Sequence, residues 1–189
     1  MSSTGRVHTV RAMLLALACA LALSGCAASL PSGFSPPGGR AMVPDMPFHP
    51  QEDHQCGPAA LAMVLNRLGD PASPEDIARS IYRKELRGTV SLDLALYPRT
   101  RGFSTRFFRG APGDIVSAID SGSPLLVMVD EGFAGVRVMH YMVVVGYSPE
   151  GVLVNSGRRR EQAVPWGDFL RAWQGADNWA LAVSRREAP

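Results

Sequence analysis

One cysteine and one histidine have the residue types and settings that nucleophilic catalysis requires. Cys56 stands at the head of an apolar run that predicts a helix, and His140 opens the valine-rich run 140–147, which predicts a strand. A thiol at a helix N-terminus faces the positive end of the helix dipole, which favours the thiolate. A histidine folded against that thiol accepts its proton. The pair predicts a cysteine nucleophile of lowered pKa with a histidine base.

Both residues also have an ordinary structural interpretation. A free cysteine is often a small buried apolar residue, and a histidine within a strand often belongs to the core. Cys56, however, precedes the apolar stripe instead of lying inside it. His49 and His54 stand nearby, but a bound metal would consume the thiolate, and their spacing fits no ligand pattern. We therefore expect neither a metal nor a cofactor.

The N-terminus has the features of a secretory signal peptide over residues 1–25. Arg6 and Arg11 precede an apolar run over 12–23, which is shorter than the roughly 18 to 20 residues of a membrane-spanning helix. The following Leu-Ser-Gly-Cys resembles a bacterial lipobox, which implies that Cys26 carries lipid; an ordinary secreted protein is the alternative. We expect a protein of the bacterial cell envelope, anchored to the inner or outer membrane and facing the periplasm.

Composition limits what the remaining chain can be. Its length suits one compact domain. The formal charge of +2 resides in Arg6 and Arg11, so the processed chain is neutral and lacks the basic character of a nucleic-acid-binding protein. Cys19 leaves with the signal and Cys26 is modified, so Cys56 has no disulfide partner and an apolar core must hold the fold. We expect a monomer.

The elements that would position Cys56 and His140 follow from the hydrophobic pattern. Residues 26–47 are rich in Ser, Gly and Pro, which predicts a flexible tether before a folded domain over 48–189. Helices are predicted from Cys56, from Ser73 as N-cap, from Ser91 with Pro98 making it short or kinked, and over 114–121 and 166–173. Strands are predicted over 103–108, 125–129, 138–147, 152–155 and 179–183. Helices followed by strands predict a two-layer α+β domain with an antiparallel sheet.

Three segments together resemble a known family. They are Gln-Glu-Asp-His-Gln-Cys-Gly-Pro-Ala-Ala-Leu from Gln51, the run His140–Tyr147, and the closing Phe169, Trp173 and Trp179-Ala180. They are similar to the bacteriocin-processing peptidases that cleave double-glycine leaders, cysteine peptidase family 39, and most to its stand-alone lipoprotein members. The resemblance spans residues 48 to about 183. It implies a papain-like fold, in which N-terminal helices pack on an antiparallel sheet and the first of them starts at the nucleophile.

The resemblance also implies a role for four residues. Cys56 matches the nucleophile, His140 the general base, and Gln51 the donor that holds the oxyanion together with the Cys56 N–H. Asn155, at the end of the next predicted strand, falls near the third triad residue. That residue is commonly an aspartate followed by proline, whereas this chain reads Asn-Ser-Gly. An asparagine orients a histidine through its side-chain carbonyl but adds no negative charge.

The expected function is therefore that of a thiol peptidase of the cell envelope. It would act without a cofactor on a peptide or protein, and the resemblance favours cleavage after small residues such as Gly-Gly. Two alternatives stay open. One is an inactive peptide-binding lipoprotein, and the other is a thiol acyltransferase or amidase, since both enzyme classes form the same acyl-thioester.

Overall fold

The computed structural model describes residues 30, 32–51 and 54–186; the predicted signal peptide and Cys26 lie outside these residues. The helices are α1 (Cys56–Arg67), α2 (Pro74–Ile81), α3 (Ser91–Thr100), α4 (Pro112–Asp120) and α5 (Trp166–Gly175), with a 3₁₀ turn at Lys84–Leu86. The strands are β1 (Ala41–Met42), β2 (Tyr82–Arg83), β3 (Gly88–Thr89), β4 (Phe103–Arg109), β5 (Leu125–Asp130), β6 (Met139–Tyr147), β7 (Gly151–Ser156), β8 (Arg159–Pro165) and β9 (Trp179–Arg185). Within the described part of the chain, no helix has both the length and the apolar character needed to cross a membrane.

One antiparallel sheet forms the centre of the domain. Its strand order is β4-β9-β5-β6-β7-β8, with β1 beside β6, and β2 and β3 form a separate small hairpin. Side chains alternate between the two faces of such a sheet. The Tyr141 hydroxyl hydrogen-bonds to Ser91 and so points to the face that carries α3, whereas Met142 and Phe169 line one groove on the face that carries α5. The predicted α+β class is confirmed.

Helix α1 runs through the middle of the helical layer. Every residue from Gly57 to Leu65 is buried, so the helix is covered on all sides. A Cβ on Gly57 would lie 3.1 Å from the Cβ of Thr89 and 3.4 Å from Leu94, so the glycine allows β3 and α3 to approach the first turn. The predicted helix start at Cys56 is confirmed.

The other helices follow their predicted signals with one difference. Ser73 caps α2 through a reciprocal capping box with Asp76, as its position predicts. Pro98 does not end α3, which continues to Thr100 with the proline in its last turns. Strand β8 was not predicted, because Arg-Arg-Glu-Gln-Ala-Val-Pro carries little apolar alternation; it is an exposed edge strand.

The predicted tether is corrected by the structure, since part of residues 26–47 belongs to the folded domain. Ala41 and Met42 pair with the end of β6, the Val43 N–H donates to Val145 O at 2.8 Å, and Val43 and Met46 are buried. Phe34 packs edge-on against Trp166 with ring centroids 5.1 Å apart. The two paired residues of β1 are too few to show strand periodicity. The Ser, Gly and Pro content of the segment was therefore the stronger sequence signal, and it predicts a tether.

Candidate active site

The thiol of Cys56 lies at an uncapped helix N-terminus. Cys56 is the first residue of α1 and half-buried, and the Gln55 side chain makes no capping hydrogen bond. Burial raises the pKa of this thiol above its ordinary value, and the charge of Glu131 adds to the rise. Backbone N–H groups of Tyr141, Gly57 and Cys56 point at the sulfur and offset part of it. The predicted lowering of the thiol pKa is therefore wrong, because the loss of solvation outweighs the helix N-terminus.

Main-chain groups of Tyr141 contact two residues of the candidate site, Cys56 and Gln51. The ladder between β6 and β7 reaches Val143, which pairs with Asn155, so Tyr141 lies two residues beyond its end. There the Tyr141 N–H faces the sulfur of Cys56 and works to lower the pKa of the thiol, and the Tyr141 carbonyl accepts from Gln51 Nε2 at 3.4 Å. Two backbone groups that a sheet partner would otherwise occupy thus hold the thiol and the glutamine.

Gln51 is held in place at both ends of its side chain. It is buried, with 8% of its surface exposed. Its Oε1 accepts from the Gly157 N–H at 3.0 Å, and its own N–H donates to the Gly157 carbonyl at 2.9 Å. Because Oε1 faces an N–H donor, the orientation of the amide is determined, and Nε2 must point to the Tyr141 carbonyl. An amide nitrogen carries two hydrogens, so one is left that can donate to an oxyanion.

His140 has a hydroxyl partner in the structure. Its Nε2 and Ser156 Oγ are joined by a hydrogen bond of 2.9 Å. Burial lowers the pKa of His140 below its ordinary value, and the negative charge of Glu131 opposes that shift. The ring is therefore neutral at rest, with the Ser156 bond holding one nitrogen.

The structure does not bring Asn155 to His140, which corrects the predicted contact. Asn155 is fully buried, and its Oδ1 accepts from the Glu161 N–H at 2.8 Å. Within the described residues its Nδ2 has no hydrogen-bond partner. Asn155 pairs with Val143, so it lies on the opposite sheet face from Met142, His140 and Ser156. A one-residue difference in position decides which side chain reaches the histidine.

Cys56 lies near the end of β6 that carries His140, because the backbone N–H of Tyr141, the residue that follows His140, faces its sulfur. Among the described residues no hydrogen bond joins the thiol to the imidazole. In enzymes without bound substrate, the hydrogen bond between a nucleophile and its base is often long, and it shortens when substrate binds. The arrangement places the thiol and the Gln51 amide beside the main chain of Tyr141, next in sequence to the imidazole of His140. A thiol, an imidazole and an amide donor are the groups that acyl transfer through a thioester requires.

The other two described histidines lie outside this arrangement. His49 hydrogen-bonds to Asn66 at 2.6 Å, and His54 Nε2 lies 3.0 Å from an Arg87 nitrogen. In the described part of the chain, no three His, Cys, Asp or Glu side chains are grouped as metal ligands would be.

A groove of about 470 Å³ lies between the sheet and α5 and is lined in part by Ser156, the hydrogen-bond partner of His140. Its floor is apolar, with Val129, Met142, Val154, Val164 and Phe169, and its rim includes Glu131, Ser156 and Asp168. Sequence reasoning missed Ser156 and Glu131. The one sequence signal for Ser156 is its position next to Asn155. Only the strand register shows which of the two side chains points to His140.

Comparison with known proteins gives one family and several similar structures. Residues 43–181 match the model of the Peptidase_C39 like family. No curated protein matches the chain significantly. A structure from Bacillus anthracis described as C39-like superposes with a TM-score of 0.65 at 16% identity, covering 79% of this chain and 99% of that one.

Two further structures are peptidase domains of transporters. The double-glycine-motif protease of an AMS/PCAT transporter, in complex with a leader peptide, gives a TM-score of 0.61 at 20% identity over 78% of this chain and 95% of its own. The peptidase domain of Streptococcus ComA, a bifunctional ABC transporter of a quorum-sensing pathway, gives 0.60 at 25% identity over 77% and 98%. These likenesses confirm the predicted papain-like fold.

Proposed function

The chain belongs to the Peptidase_C39 like family, and on that premise we propose that it is a cysteine peptidase with Cys56 as nucleophile and His140 as general base. The observation that carries this proposal is the Tyr141 main chain, which joins the Cys56 thiol and the Gln51 amide next to His140. The similar structures include one that holds a leader peptide. We extend peptide binding to this chain as part of the proposal, with cleavage after small residues.

The catalytic steps follow from the placement of these groups. His140 takes the thiol proton as the sulfur attacks the peptide carbonyl, and the carbonyl oxygen becomes an oxyanion. The Cys56 N–H and Gln51 Nε2 donate to that oxyanion. The imidazolium then gives its proton to the leaving amine, and water activated by His140 releases the acid from the thioester.

The directions of the two pKa shifts define the resting state. Burial raises the pKa of Cys56 and lowers that of His140, so both are neutral before substrate arrives. Proton transfer then accompanies attack instead of preceding it. Cys56 should accordingly alkylate more slowly than a model thiol at pH 6, with iodoacetamide labelling and mass spectrometry as the measurement. Alkylation faster than the model thiol would indicate a preformed ion pair.

One other function has an observation in its favour. A neutral thiol and a serine where the family commonly has an aspartate suit a peptide-binding lipoprotein without turnover. Purified protein lacking residues 1–26 separates the two. We expect it to bind a thiol-directed acyl electrophile covalently and to cleave members of a peptide library, whereas Cys56→Ala should do neither while folding normally. Peptide binding without labelling or cleavage in the parent would favour the inactive binding lipoprotein. Hydrolysis of a non-peptide amide, or transfer of the acyl group to an acceptor other than water, would favour the acyltransferase or amidase.

We also propose that the protein is anchored in the cell envelope through lipid on Cys26. The Leu-Ser-Gly-Cys sequence supports this. In the host bacterium, Cys26→Ser should move the protein from the membrane to the soluble periplasmic fraction, because the acyl chains supply the strong membrane attachment. Membrane fractionation that does not change would refute the anchor.

A further inference from the structure

The hydroxyl partner of His140 leaves one electrostatic requirement unmet. Attack by the thiol turns the imidazole into an imidazolium, and a carboxylate beside the ring stabilises that cation. Ser156 orients the ring at 2.9 Å but carries no charge. A compensating negative charge must therefore come from another element.

The sheet register places one carboxylate beside His140 on the side away from β7. Val129 of β5 pairs directly with His140, and Glu131 is two residues farther along the same chain. The ladder continues there, since the Glu131 N–H donates to the Val138 carbonyl at 2.9 Å. Residues two apart share a face, so Glu131 is a diagonal neighbour of His140, at a distance that a glutamate side chain can bridge. Ser156 is the corresponding neighbour from β7.

The other charges around this groove are compensated. Asp130 accepts from the N–H groups of Gly132 and Val138 and pairs with Arg137 at 3.0 Å. Across the groove on α5, Asp168 pairs with Arg171 at 2.9 Å. Within the described residues, no ion pair or side-chain hydrogen bond engages the Glu131 carboxylate, although it lines the same groove as Ser156.

We propose that Glu131 is a positioning residue that supplies the negative charge for the His140 imidazolium, while Ser156 orients the ring. The inference rests on the proposed function and names the residue that completes its electrostatics. Its charge acts on both members of the pair, raising the pKa of Cys56 and opposing the lowering of the pKa of His140. Glu131 is exposed, so its effect is screened by salt.

The test is Glu131→Gln, which keeps the shape and removes the charge. We expect kcat to fall about 3-fold with KM little changed, and the acid limb of the kcat/KM profile to move down by about half a pH unit, because the imidazole loses a stabilising charge. Glu131→Asp should recover part of the rate, and the difference from the parent should shrink in 1 M NaCl. Glu150→Gln, a carboxylate beyond the far end of β6, is the matched control and should leave profile and rate unchanged.

A second variant and a second measurement keep the test independent of turnover. Ser156→Asp puts a carboxylate next to Nε2, so it should remove most of the cost of Glu131→Gln. In the Cys56→Ala protein, the NMR titration of the His140 ring should move to lower pH when Glu131→Gln is added. A titration and an acid limb that both stay in place, or a loss confined to KM, would overturn the role of Glu131. An inactive parent would refute the proposed peptidase alone, and the titration would still decide on Glu131.

Discussion

The two ends of β6 have the same strand geometry but differ in which groups bind their backbone N–H and carbonyl groups. At the Tyr147 end, β1 completes the sheet where β5 stops: Ala41 pairs with Tyr147, and the Val43 N–H donates to Val145. At the His140 end none of the described strands binds the N–H and carbonyl of Tyr141; the N–H faces the Cys56 sulfur, and the carbonyl accepts from Gln51. The candidate site therefore forms where the ladder of β6 ends early, because main-chain groups left without a strand partner contact the side chains proposed for catalysis.

The titratable groups differ between the ends in the same way. Burial raises the pKa of Tyr141 to about 12, and the hydrogen bond to Asp120 raises the pKa of Tyr147. Both tyrosines therefore stay neutral at physiological pH. His140, whose pKa is lowered by burial, is the group of this strand that can exchange a proton near neutrality.

The largest expected effect comes from removing the base at the open end. His140→Ala should lower kcat by about 10²- to 10⁴-fold, the usual contribution of a general base, and leave the free energy of unfolding at pH 7.5 nearly unchanged. Peptide cleavage and urea denaturation measure the two. At the closed end, Tyr147→Phe removes the 2.6 Å bond to Asp120 and should cost about 1 kcal/mol of stability without affecting kcat. Equal losses of kcat in His140→Ala and Tyr147→Phe would contradict the assignment of catalysis to the His140 end of β6 and of stability to the Tyr147 end.

The next effect concerns the donor held by Tyr141. Gln51→Glu keeps an oxygen acceptor for the Gly157 N–H but has no amide donor, so kcat should fall about 10²- to 10³-fold. The buried carboxylate also faces the Tyr141 carbonyl without a donor between them, which should cost about 1 to 3 kcal/mol of stability. Gln51→Ala should lose the rate and, in addition, about 1 kcal/mol of stability. A Gln51→Glu protein with parental kcat would remove the side chain from the oxyanion site.

A smaller effect separates the neighbouring residues Asn155 and Ser156. Ser156→Ala should lower kcat by a factor of about 3 to 10 at nearly unchanged stability, since it removes one half-buried hydrogen bond that orients the ring. Asn155→Ala should cost about 1 kcal/mol of unfolding free energy and leave kcat unchanged, because its bond goes to the Glu161 N–H. Thermal denaturation and kinetics on both variants decide the matter, and a reversed pattern would restore Asn155 as the third triad residue.

The smallest effect is a pH dependence of stability. The folded pKa of His140 is lowered, so the unfolded chain binds more protons at acid pH. The contribution of this neutral ring to stability is complete above the unfolded pKa of about 6.5 and is lost as pH falls below that value and through the lowered pKa of the folded state. Urea denaturation at pH 7.5 and 5 should show a stability decrease that His140→Ala reduces. Equal decreases in both proteins would indicate that other groups cause it.

Much of the architecture could be predicted because local signals and burial agree. The apolar run after Cys56 and the cap at Ser73 produced the observed helix starts. The exceptions are elements whose sequences carry no such pattern. Strand β8 is polar at an exposed edge, and β1 is only two residues long and depends on the free edge of β6.

Residue types and periodicity, which act locally, are enough to predict a thiol at the start of an apolar helix, a histidine on a strand, and the order of helices before strands. Long-range packing is needed to show that Ser156 and not Asn155 contacts His140, that the thiol pKa rises, and that Glu131 shares a groove with Ser156. Strand register and burial depend on residues far apart in the chain, and a one-residue change of register reverses which side chains share a face.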